Sequence, residues 1–268
     1  MILVTGANGN IGSEVVKQLS IRGQAVRALV RDLEKAKGLA GPHVEIVEGD
    51  LDDVVALHRA MRGVDKLFLL TAASPRQVEL QSNAIKAAQR AGVKLIVKQS
   101  EVHADPESPI SLAKSHGLTE LELKASGIPF TILRAGFFMQ NLLMSAGSIA
   151  KQGAIFNCTG EGKIAAIDTR DVADVAVVVL TEPGHEGKTF VLTGPEALTF
   201  EEMASRLAEG TGKTVKYVDI PQEQMRAEMT TAGHPPWLVN DVLQFFAGLK
   251  VGSGERVTDV VATMTKRP

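Results

Sequence analysis

Short apolar runs recur along the first half of the chain, and they constrain its fold more than any other feature. Most are apolar at successive positions rather than at alternate ones, which is typical of strands buried on both faces of a parallel sheet. The runs are Ile2–Val4, Ala25–Val30, Val44–Val47, Leu67–Leu70, Val93–Val97 and Phe130–Leu133. Segments of helical periodicity separate them, such as the stripe of Ile11, Val15 and Leu19. Alternating strands and helices predict an α/β fold, a doubly wound parallel sheet with helices on both faces.

The pattern changes after about residue 135, where glycine and proline separate shorter elements. We expect helices over residues 138–151 and 171–180, and strands over 189–192 and 214–219. Thr199 and Glu202 have the spacing of a capping box, which predicts that a helix starts there. The second half is therefore expected to form a smaller α/β lobe.

Charge and cysteine content exclude several classes of function. The 268 residues carry a net charge of −2, and no stretch concentrates lysine and arginine, so a nucleic-acid partner is disfavoured. Cys158 is the single cysteine, which excludes an internal disulfide and a thiolate-rich metal site. No apolar run is long enough to span a membrane, and the sequence starts with a predicted strand rather than a secretory signal. We expect a cytoplasmic protein without a bound metal.

The strongest local motif is Gly6-x-x-Gly9-x-x-Gly12, which lies between the first predicted strand and the first predicted helix. Glycine at such a turn lets the backbone bend tightly and lets a pyrophosphate approach the amide groups, while the helix N-terminus adds unpaired N–H donors. The usual spacing is Gly-x-Gly-x-x-Gly, so the glycines alone are weak evidence, but their position favours a Rossmann-type dinucleotide site over a simple turn. The residues expected to contact the cofactor here are Thr5, Gly6, Asn8, Gly9, Asn10, Ile11 and Gly12.

The end of the second strand distinguishes between the two nicotinamide dinucleotides. An NAD site usually places an acid there to hold the ribose 2′-hydroxyl, whereas a 2′-phosphate favours a guanidinium group. Arg31 occupies this position, which predicts a preference for NADPH. Alternatively, Arg31 is a surface charge that pairs with Asp32 or Glu34, and Asp32 also fits the N-cap of the next helix.

Residues at the ends of the other strands fit the same cofactor, because ligands of an open α/β sheet bind beyond the carboxyl ends of its strands. Asp50 follows the third strand and is suited to hold the adenine amino group, and small residues after the fourth strand let the cofactor's ribose pass close to the backbone. Each is by itself an ordinary loop residue, but together they favour a dinucleotide. The further expected cofactor contacts are Asp50, Leu51, Thr71, Ala72, Ala73 and Gln99.

The glycine motif, Arg31, Gly49-Asp50 and the segment Ser126–Asn141 together resemble the NmrA-like atypical short-chain dehydrogenase/reductases. Within that family, the resemblance is to the bacterial quinone oxidoreductase and triphenylmethane reductase branch. It is specific over the first 141 residues and weakest from about residue 215 onward. The resemblance implies an NADP-binding Rossmann domain, expected over residues 1–150, and a small substrate lobe over 151–268, from which 168–195 can return to the Rossmann sheet.

The acid pair of most short-chain reductases, a tyrosine with a lysine four residues later, is missing. Tyr217 is the only tyrosine, and Pro221 stands where its lysine would be. Alignment with the family places His116 near the lysine position and Leu112 near the tyrosine position. Reduction of an isolated ketone generates an alkoxide, which needs a strong proton donor. A quinone or a cationic dye accepts hydride more readily, because its product is a delocalised anion or a neutral molecule, so the missing pair favours such acceptors.

The catalytic candidates are His116 and Ser100. His116 either donates a proton or shapes the site, and Ser100 either hydrogen-bonds the cofactor amide or caps the loop after the fifth strand. His103 is expected either near the nicotinamide or as an exposed loop residue. Residues after the sixth strand either line an apolar pocket for a flat acceptor or pack against the lobe; these are Phe137, Phe138, Met139 and Asn141.

These features favour an oxidoreductase in which NADPH gives hydride directly to a quinone or another conjugated, dye-like small molecule, without metal or flavin. Two alternatives stay open. One is a regulatory protein that binds NADP without turning it over, and the other is an NADPH-dependent carbonyl or imine reductase that uses His116 and water as the acid. Assembly as a homodimer is compatible with the sequence.

Overall fold

The computed structural model describes residues 1–267, which form alternating strands and helices. The strands are β1 (Ile2–Val4), β2 (Val26–Val30), β3 (Val44–Glu48), β4 (Lys66–Leu69), β5 (Leu95–Glu101), β6 (Phe130–Ala135), β7 (Ala154–Asn157), β8 (Thr189–Leu192) and β9 (Lys216–Asp219). The α-helices are α1 (Asn10–Ile21), α2 (Val54–Ala60), α3 (Gln77–Ala91), α4 (Ser111–Ala125), α5 (Ala146–Gln152), α6 (Thr169–Thr181), α7 (Phe200–Thr211), α8 (Gln222–Thr231), α9 (Pro236–Lys250) and α10 (Val260–Thr265). Two 3₁₀ helices cover Glu34–Leu39 and Met139–Ser145.

The main sheet confirms the expected doubly wound Rossmann-type fold. It has seven strands in the order β3-β2-β1-β4-β5-β6-β8, and every pair of neighbours is parallel. The chain moves outward from β1 to β2 and β3, and then returns to the other side of β1 with β4. This reversal places a topological switch point between β1 and β4, where ligands of such sheets bind outside the carboxyl ends of the strands.

Burial on both faces explains why the sheet strands read as continuous apolar runs. Leu3, Leu67 and Ile96 lie on the central strands and are completely buried. The predicted helical stripe on α1 is buried as well, and α1 packs against α6. Fully burying one such side chain contributes about 1.5–3 kcal/mol, so the sheet and its helices form a well-supported scaffold for a site at the strand ends.

The chain divides into two units whose limits differ from the expected ones. The first unit contains Met1–Ala135, Thr169–Leu192 and the stretch from Val260 onward, and the second contains Gly136–Asp168 and Thr193–Asp259. The boundary therefore lies after β6 rather than at residue 150. Its physical reason is packing: the chain leaves the sheet at once after β6, and the half-buried Phe137 already packs against the apolar core of the second unit.

Several element limits also differ from the sequence expectations. The helix expected over 138–151 is a 3₁₀ helix followed by the short α5, and the strand expected from Thr214 begins at Lys216. β5 extends to Glu101 instead of ending at Val97, because its polar residues continue the backbone pairing with β6, while the side chains of Lys98 and Ser100 contact α4. Ser100 therefore lies inside this strand and does not follow it.

The second unit is built around the parallel pair β7 and β9. The capping box predicted at the start of α7 is confirmed: the Thr199 backbone N–H donates to Glu202 at 2.8 Å, and the Glu202 N–H donates to Thr199 Oγ1 at 3.1 Å. No helix within residues 1–267 is long and apolar enough to cross a membrane.

Candidate cofactor-binding and active site

The glycine motif forms a tight turn between β1 and α1. Gly6 has a φ of +61°, a conformation that side chains disfavour. A Cβ atom on Gly12 would lie 2.2 Å from the Gly6 carbonyl oxygen, so only glycine permits this close approach of helix and turn. Gly9 is the N-cap of α1 and, within residues 1–267, no side chain caps the helix. Its first-turn N–H groups are therefore free to bind an anion, as a dinucleotide pyrophosphate requires.

The side chains around this turn have separate tasks. Asn8 and Asn10 are exposed, whereas Ile11 is buried in the core and offers a ligand only its backbone N–H. Thr5 is buried too: its hydroxyl accepts a hydrogen bond from the Leu70 N–H at 2.9 Å and donates to the Leu70 carbonyl oxygen at 2.8 Å. Thr5 therefore joins the end of β1 to the end of β4.

Arg31 is exposed at the end of β2 and makes no hydrogen bond or ion pair with any residue in the described range 1–267. Arg31 does not pair with its acidic neighbours. Asp32 pairs instead with Lys35 at 3.5 Å, and Glu34 pairs with Lys37. Asp32 accepts from the Glu34 N–H at 2.9 Å just before the following 3₁₀ helix, although the N-cap residue of that helix is Leu33 and not Asp32. Hydrogen bonds from the backbone, with that of Lys35 the strongest cause, hold the pKa of Asp32 below its ordinary value.

The residues that follow β3 and β4 lie at the carboxyl edge of the sheet, where β4 borders the switch point and β3 is the outer strand beyond β2. Asp50 is half-buried and accepts from the Leu51 N–H at 2.6 Å, which leaves its second carboxylate oxygen for a ligand. Leu51 itself is buried in the core, so its side chain is a packing residue. Thr71 accepts from Gln81 Nε2 at 2.8 Å. Ala72 and Ala73 follow it and are exposed, as expected of residues that let a ribose pass.

Ser100 is completely buried and donates to Glu120 Oε1 at 2.7 Å. Glu120 is in turn held by Arg134, whose Nε and Nη2 donate to its two oxygens at 3.0 and 2.6 Å. Such bidentate, charge-assisted pairs are strong, so the Glu120 carboxylate is held in place. The Ser100 hydroxyl donates its hydrogen to this fixed carboxylate. Ser100 neither caps the loop after β5 nor presents an acidic proton. It fixes β5 against α4.

His116 lies on α4 with 6% of its surface exposed, facing Lys98 of β5 and Gln77 of α3. Burial, with the charges of Lys98 and Arg134, holds the pKa of His116 well below its usual range. The imidazole is therefore neutral at neutral pH and does not carry the proton of an acid catalyst. Lys98 is completely buried, and burial lowers its pKa to about 7.

His103 is half-buried in the loop after β5, and burial lowers its pKa. This loop is held tightly against α4, because a Cβ on Gly117 would lie 2.2 Å from the Pro106 nitrogen. Gln99 is buried and donates through Nε2 to the Ser100 carbonyl oxygen at 2.7 Å. The structure therefore brings His116 and Ser100 to the carboxyl half of the sheet, but gives neither the environment of an acid.

In the second unit, Phe137 stacks on Phe245 with ring centroids 6.1 Å apart and meets the edge of Phe200 at 6.1 Å. Phe137 is half-buried and packs against the apolar core of this unit, and its contact with an acceptor stays a prediction. Phe138 is half-buried, while Met139 and Asn141 are exposed, so these three keep side-chain surface for a ligand. Among residues 1–267, no group of histidine, cysteine and carboxylate side chains is arranged to hold a metal ion.

Sequence reasoning missed the buried polar residues behind the strand ends. These are Gln77, Gln81, Lys98 and Glu120. A signal was present for one of them, since a lysine directly after the apolar residues Leu95–Val97 is unusual in a buried parallel strand. The others lie on helices, where glutamine and glutamate are ordinary surface residues, and their sequence neighbours give no sign of burial.

We expect Gly12→Ala to weaken NADPH binding and to destabilise the protein by about 1–3 kcal/mol, because the added methyl group overpacks the turn. Chemical denaturation and titration with NADPH, followed by nicotinamide fluorescence, measure the two effects. Gly210→Ala is the matched control, since Gly210 also lies in a helix but has open space around it. Equal behaviour of the two variants contradicts the role assigned to Gly12.

The buried Lys98 predicts how stability depends on pH. Its pKa is about 7 in the folded protein against 10.5 for an ordinary lysine, so unfolding takes up a proton between these values and the free energy of unfolding rises with pH across that window. Lys98→Met is expected to remove this rise, so its stability relative to the wild type is greatest near pH 7 and declines above it. Urea denaturation at several pH values measures the slope. Lys94→Met, which removes an exposed lysine just before β5, is expected to keep the rise, and a rise that survives in Lys98→Met contradicts the assignment.

Comparison with known proteins agrees with this geometry. A model of the NmrA-like family matches residues 1–244. An NAD(P)H azoreductase from Xenophilus azovorans is 41% identical over 268 residues, covering 100% of this chain and 94% of that protein. The crystal structure of an NADPH-dependent quinone oxidoreductase from Escherichia coli complexed with NADPH matches with a TM-score of 0.90 and 33% identity, covering 100% of this chain and 95% of that one. That of Citrobacter sp. triphenylmethane reductase complexed with NADP(H) matches with a TM-score of 0.86 and 31% identity over 98% of this chain and 94% of that one. With its glycine turn and its sheet order, the chain belongs to the NmrA-like family.

Proposed function

We propose that the protein is an NADPH-dependent oxidoreductase that transfers hydride directly to a quinone or to another conjugated acceptor such as an azo or triphenylmethane dye. The observation that carries the proposal is the uncapped N-terminus of α1 behind the glycine turn, together with the unpaired Arg31 at the end of β2. The relatives support it, because those described as azoreductase, quinone oxidoreductase and triphenylmethane reductase match over nearly the whole chain.

The residues present fit NADPH in a consistent order along the strand ends. The first-turn N–H groups of α1 would bind the pyrophosphate, and Arg31 would bind the 2′-phosphate. The free oxygen of Asp50 would hold the adenine amino group, and the exposed backbone at Ala72 and Ala73 would face the ribose. Gln99 stays our prediction for the nicotinamide end. When bound, the cofactor supplies the hydride, and the chain supplies its position.

The protein's own acids explain the choice of acceptor. Tyr217 is the single tyrosine, and burial raises its pKa to about 12, whereas a catalytic tyrosine needs a lowered pKa. His116 is neutral and Ser100 is bound to Glu120. Without a strong internal acid, the site suits acceptors that hydride converts into a delocalised anion that water protonates, as the hydroquinone monoanion is, or into a neutral molecule, as from a cationic dye. For contact with the acceptor, Phe138, Met139 and Asn141 stay predictions, as do cytoplasmic location and a homodimer.

The direct test is a panel of acceptors. Purified protein with NADPH is expected to reduce quinones and triarylmethane or azo dyes much faster than simple ketones, as measured by loss of nicotinamide absorbance. Ketones reduced as fast as quinones support the carbonyl reductase alternative. Tight NADPH binding without reduction of any acceptor contradicts the proposal and favours a regulatory, NADP-binding protein.

Arg31→Ala is expected to lower kcat/KM for NADPH by about 10- to 100-fold, because a charge-assisted hydrogen bond contributes about 1.5–3 kcal/mol. kcat/KM for NADH is expected to stay within about twofold, since NADH lacks the 2′-phosphate. Steady-state kinetics with both cofactors at saturating quinone measure the ratio. Lys37→Ala, an exposed change in the following 3₁₀ helix, is the control and should leave the ratio unchanged. Equal losses with both cofactors contradict the role of Arg31.

A further inference from the structure

His103 is a half-buried side chain that the surrounding protein leaves unpaired. Within the described residues 1–267, its two ring nitrogens make no hydrogen bond or ion pair, and burial is the only influence on its pKa. His116, by contrast, lies against Lys98 and Gln77. Polar groups withdrawn from water usually have a partner, so an imidazole without one is suited to bind a ligand.

Backbone hydrogen bonds fix the turn that carries His103. The Val102 N–H donates to the Ala135 carbonyl oxygen at 3.1 Å, which continues the pairing of β5 with β6 beyond the last residue of β5. The Ala104 N–H donates to the Glu101 carbonyl oxygen at 3.1 Å and closes a β-turn with His103 at its third position. The residues on both sides of His103 are therefore held against the end of the sheet.

α4 holds the chain that follows this turn. The Asp105 N–H donates to the Ala113 carbonyl oxygen at 3.2 Å. A Cβ atom on Gly117 would lie 2.3 Å from the Asp105 carbonyl carbon, so helix and loop are in direct backbone contact. The backbone of His103 is thus fixed relative to β5, β6 and α4, which is the precision that a group acting on a reacting atom needs.

The order of the strands places this turn at the nicotinamide end of the proposed cofactor. Arg31 follows β2 and Asp50 follows β3, and both strands lie on one side of the switch point between β1 and β4. β5 and β6 lie on the other side. A dinucleotide whose adenosine half contacts Arg31 and Asp50, with its pyrophosphate at α1, extends its nicotinamide towards the carboxyl ends of β4 and β5. The turn with His103 directly follows β5.

We propose that His103 is a catalytic residue: its imidazole N–H donates a hydrogen bond to the oxygen atom of the acceptor on which negative charge develops as hydride arrives. The inference rests on the proposed function and adds to it the group that stabilises this charge. Fixed hydrogen-bond donors aimed at a developing oxyanion lower the barrier of a reaction without giving up a proton.

The step balances without an internal acid. A quinone takes up hydride from NADPH and becomes the hydroquinone monoanion, while NADPH becomes NADP⁺. His103 keeps its N–H bond and only hydrogen-bonds the oxyanion, and a proton from water then completes the hydroquinone. Burial lowers the pKa of His103, so its ring is neutral at neutral pH and has one N–H to donate.

The same hydrogen bond has no task with a cationic dye. A triarylmethane cation takes up hydride at its central carbon and becomes a neutral molecule, so no oxyanion forms. His103 is therefore expected to accelerate the reduction of quinones and not that of such dyes. A residue that merely supported the loop would affect both reactions alike.

Steady-state kinetics with 1,4-naphthoquinone and with crystal violet, both at saturating NADPH, test this difference. We expect His103→Phe to lower kcat for the quinone by about 10- to 100-fold, because a hydrogen bond to a charged group contributes about 1.5–3 kcal/mol. kcat for the dye is expected to change by less than about twofold, since its product carries no charge. His103→Gln, which keeps an N–H donor, is expected to lose less of the quinone rate than His103→Phe.

His58→Asn is the matched control, because it removes an exposed histidine on α2, and it should leave both rates unchanged. A quinone rate that survives in His103→Phe overturns the proposal. So do equal losses with quinone and dye in His103→Gln.

An anionic probe gives a readout without turnover. 4-Nitrophenolate carries the phenolate oxygen of a reduced quinone, and its absorbance reports binding to protein loaded with NADP⁺. We expect its dissociation constant to be about tenfold higher for His103→Phe than for the wild type, whereas the uncharged 4-nitroanisole binds to both alike. Equal binding of the phenolate overturns the proposal. If no acceptor is reduced although phenolate binding depends on His103, only the proposed function is refuted.

Discussion

The rest of the site depends on the contact between the start of α1 and the turn that follows β1. The Gly12 Cα lies so near the Gly6 carbonyl that a methyl group has no room, and Gly6 itself adopts a left-handed conformation. This contact points the uncapped N–H groups of α1 at the switch point of the sheet. Thr5 hydrogen-bonds to Leu70 and so joins the end of β1 to the end of β4, which fixes together the two strands that flank the crevice.

Behind this crevice, the first unit keeps a polar layer inside an apolar scaffold. Buried charges and amides are costly unless they are paired, and here the pairs join β5 and β6 to α4 and α3. Three hydrogen bonds join Ser100, Glu120 and Arg134 into a rigid support. Lys98, His116 and Gln77 are buried on the same side of the sheet, with Lys98 Nζ 2.9 Å from His116 Nδ1. A site for hydride transfer to an electron-poor acceptor needs position more than acidity, and both groups supply position.

The sequence predicts most strands of the main sheet, because strands buried on both faces are runs of consecutive apolar residues. Ile2–Val4 and the capping box at Thr199 were predicted at their observed positions, since apolar runs and caps depend on neighbouring residues. The sequence does not predict that Lys98 and Ser100 lie within the strand, because the apolar run ends at Val97. The strand continues through polar residues whose side-chain partners lie about twenty positions away. The boundary after β6 differs from the predicted one for the same reason, because the packing of Phe137 against the second unit depends on contacts with distant helices.

The first unit is assembled from three separate stretches of chain, with the two parts of the second unit between them. Its edge strand β8 and the helices α6 and α10 follow stretches of chain that belong to the second unit. Within the first unit, α10 packs against α6 and β8. Contacts across such long intervals form late, since a long loop must close before they are made. During synthesis, therefore, the nucleotide-binding unit cannot complete its sheet and helix layer when β6 has left the ribosome, but only after the second unit's residues and then α10 have followed.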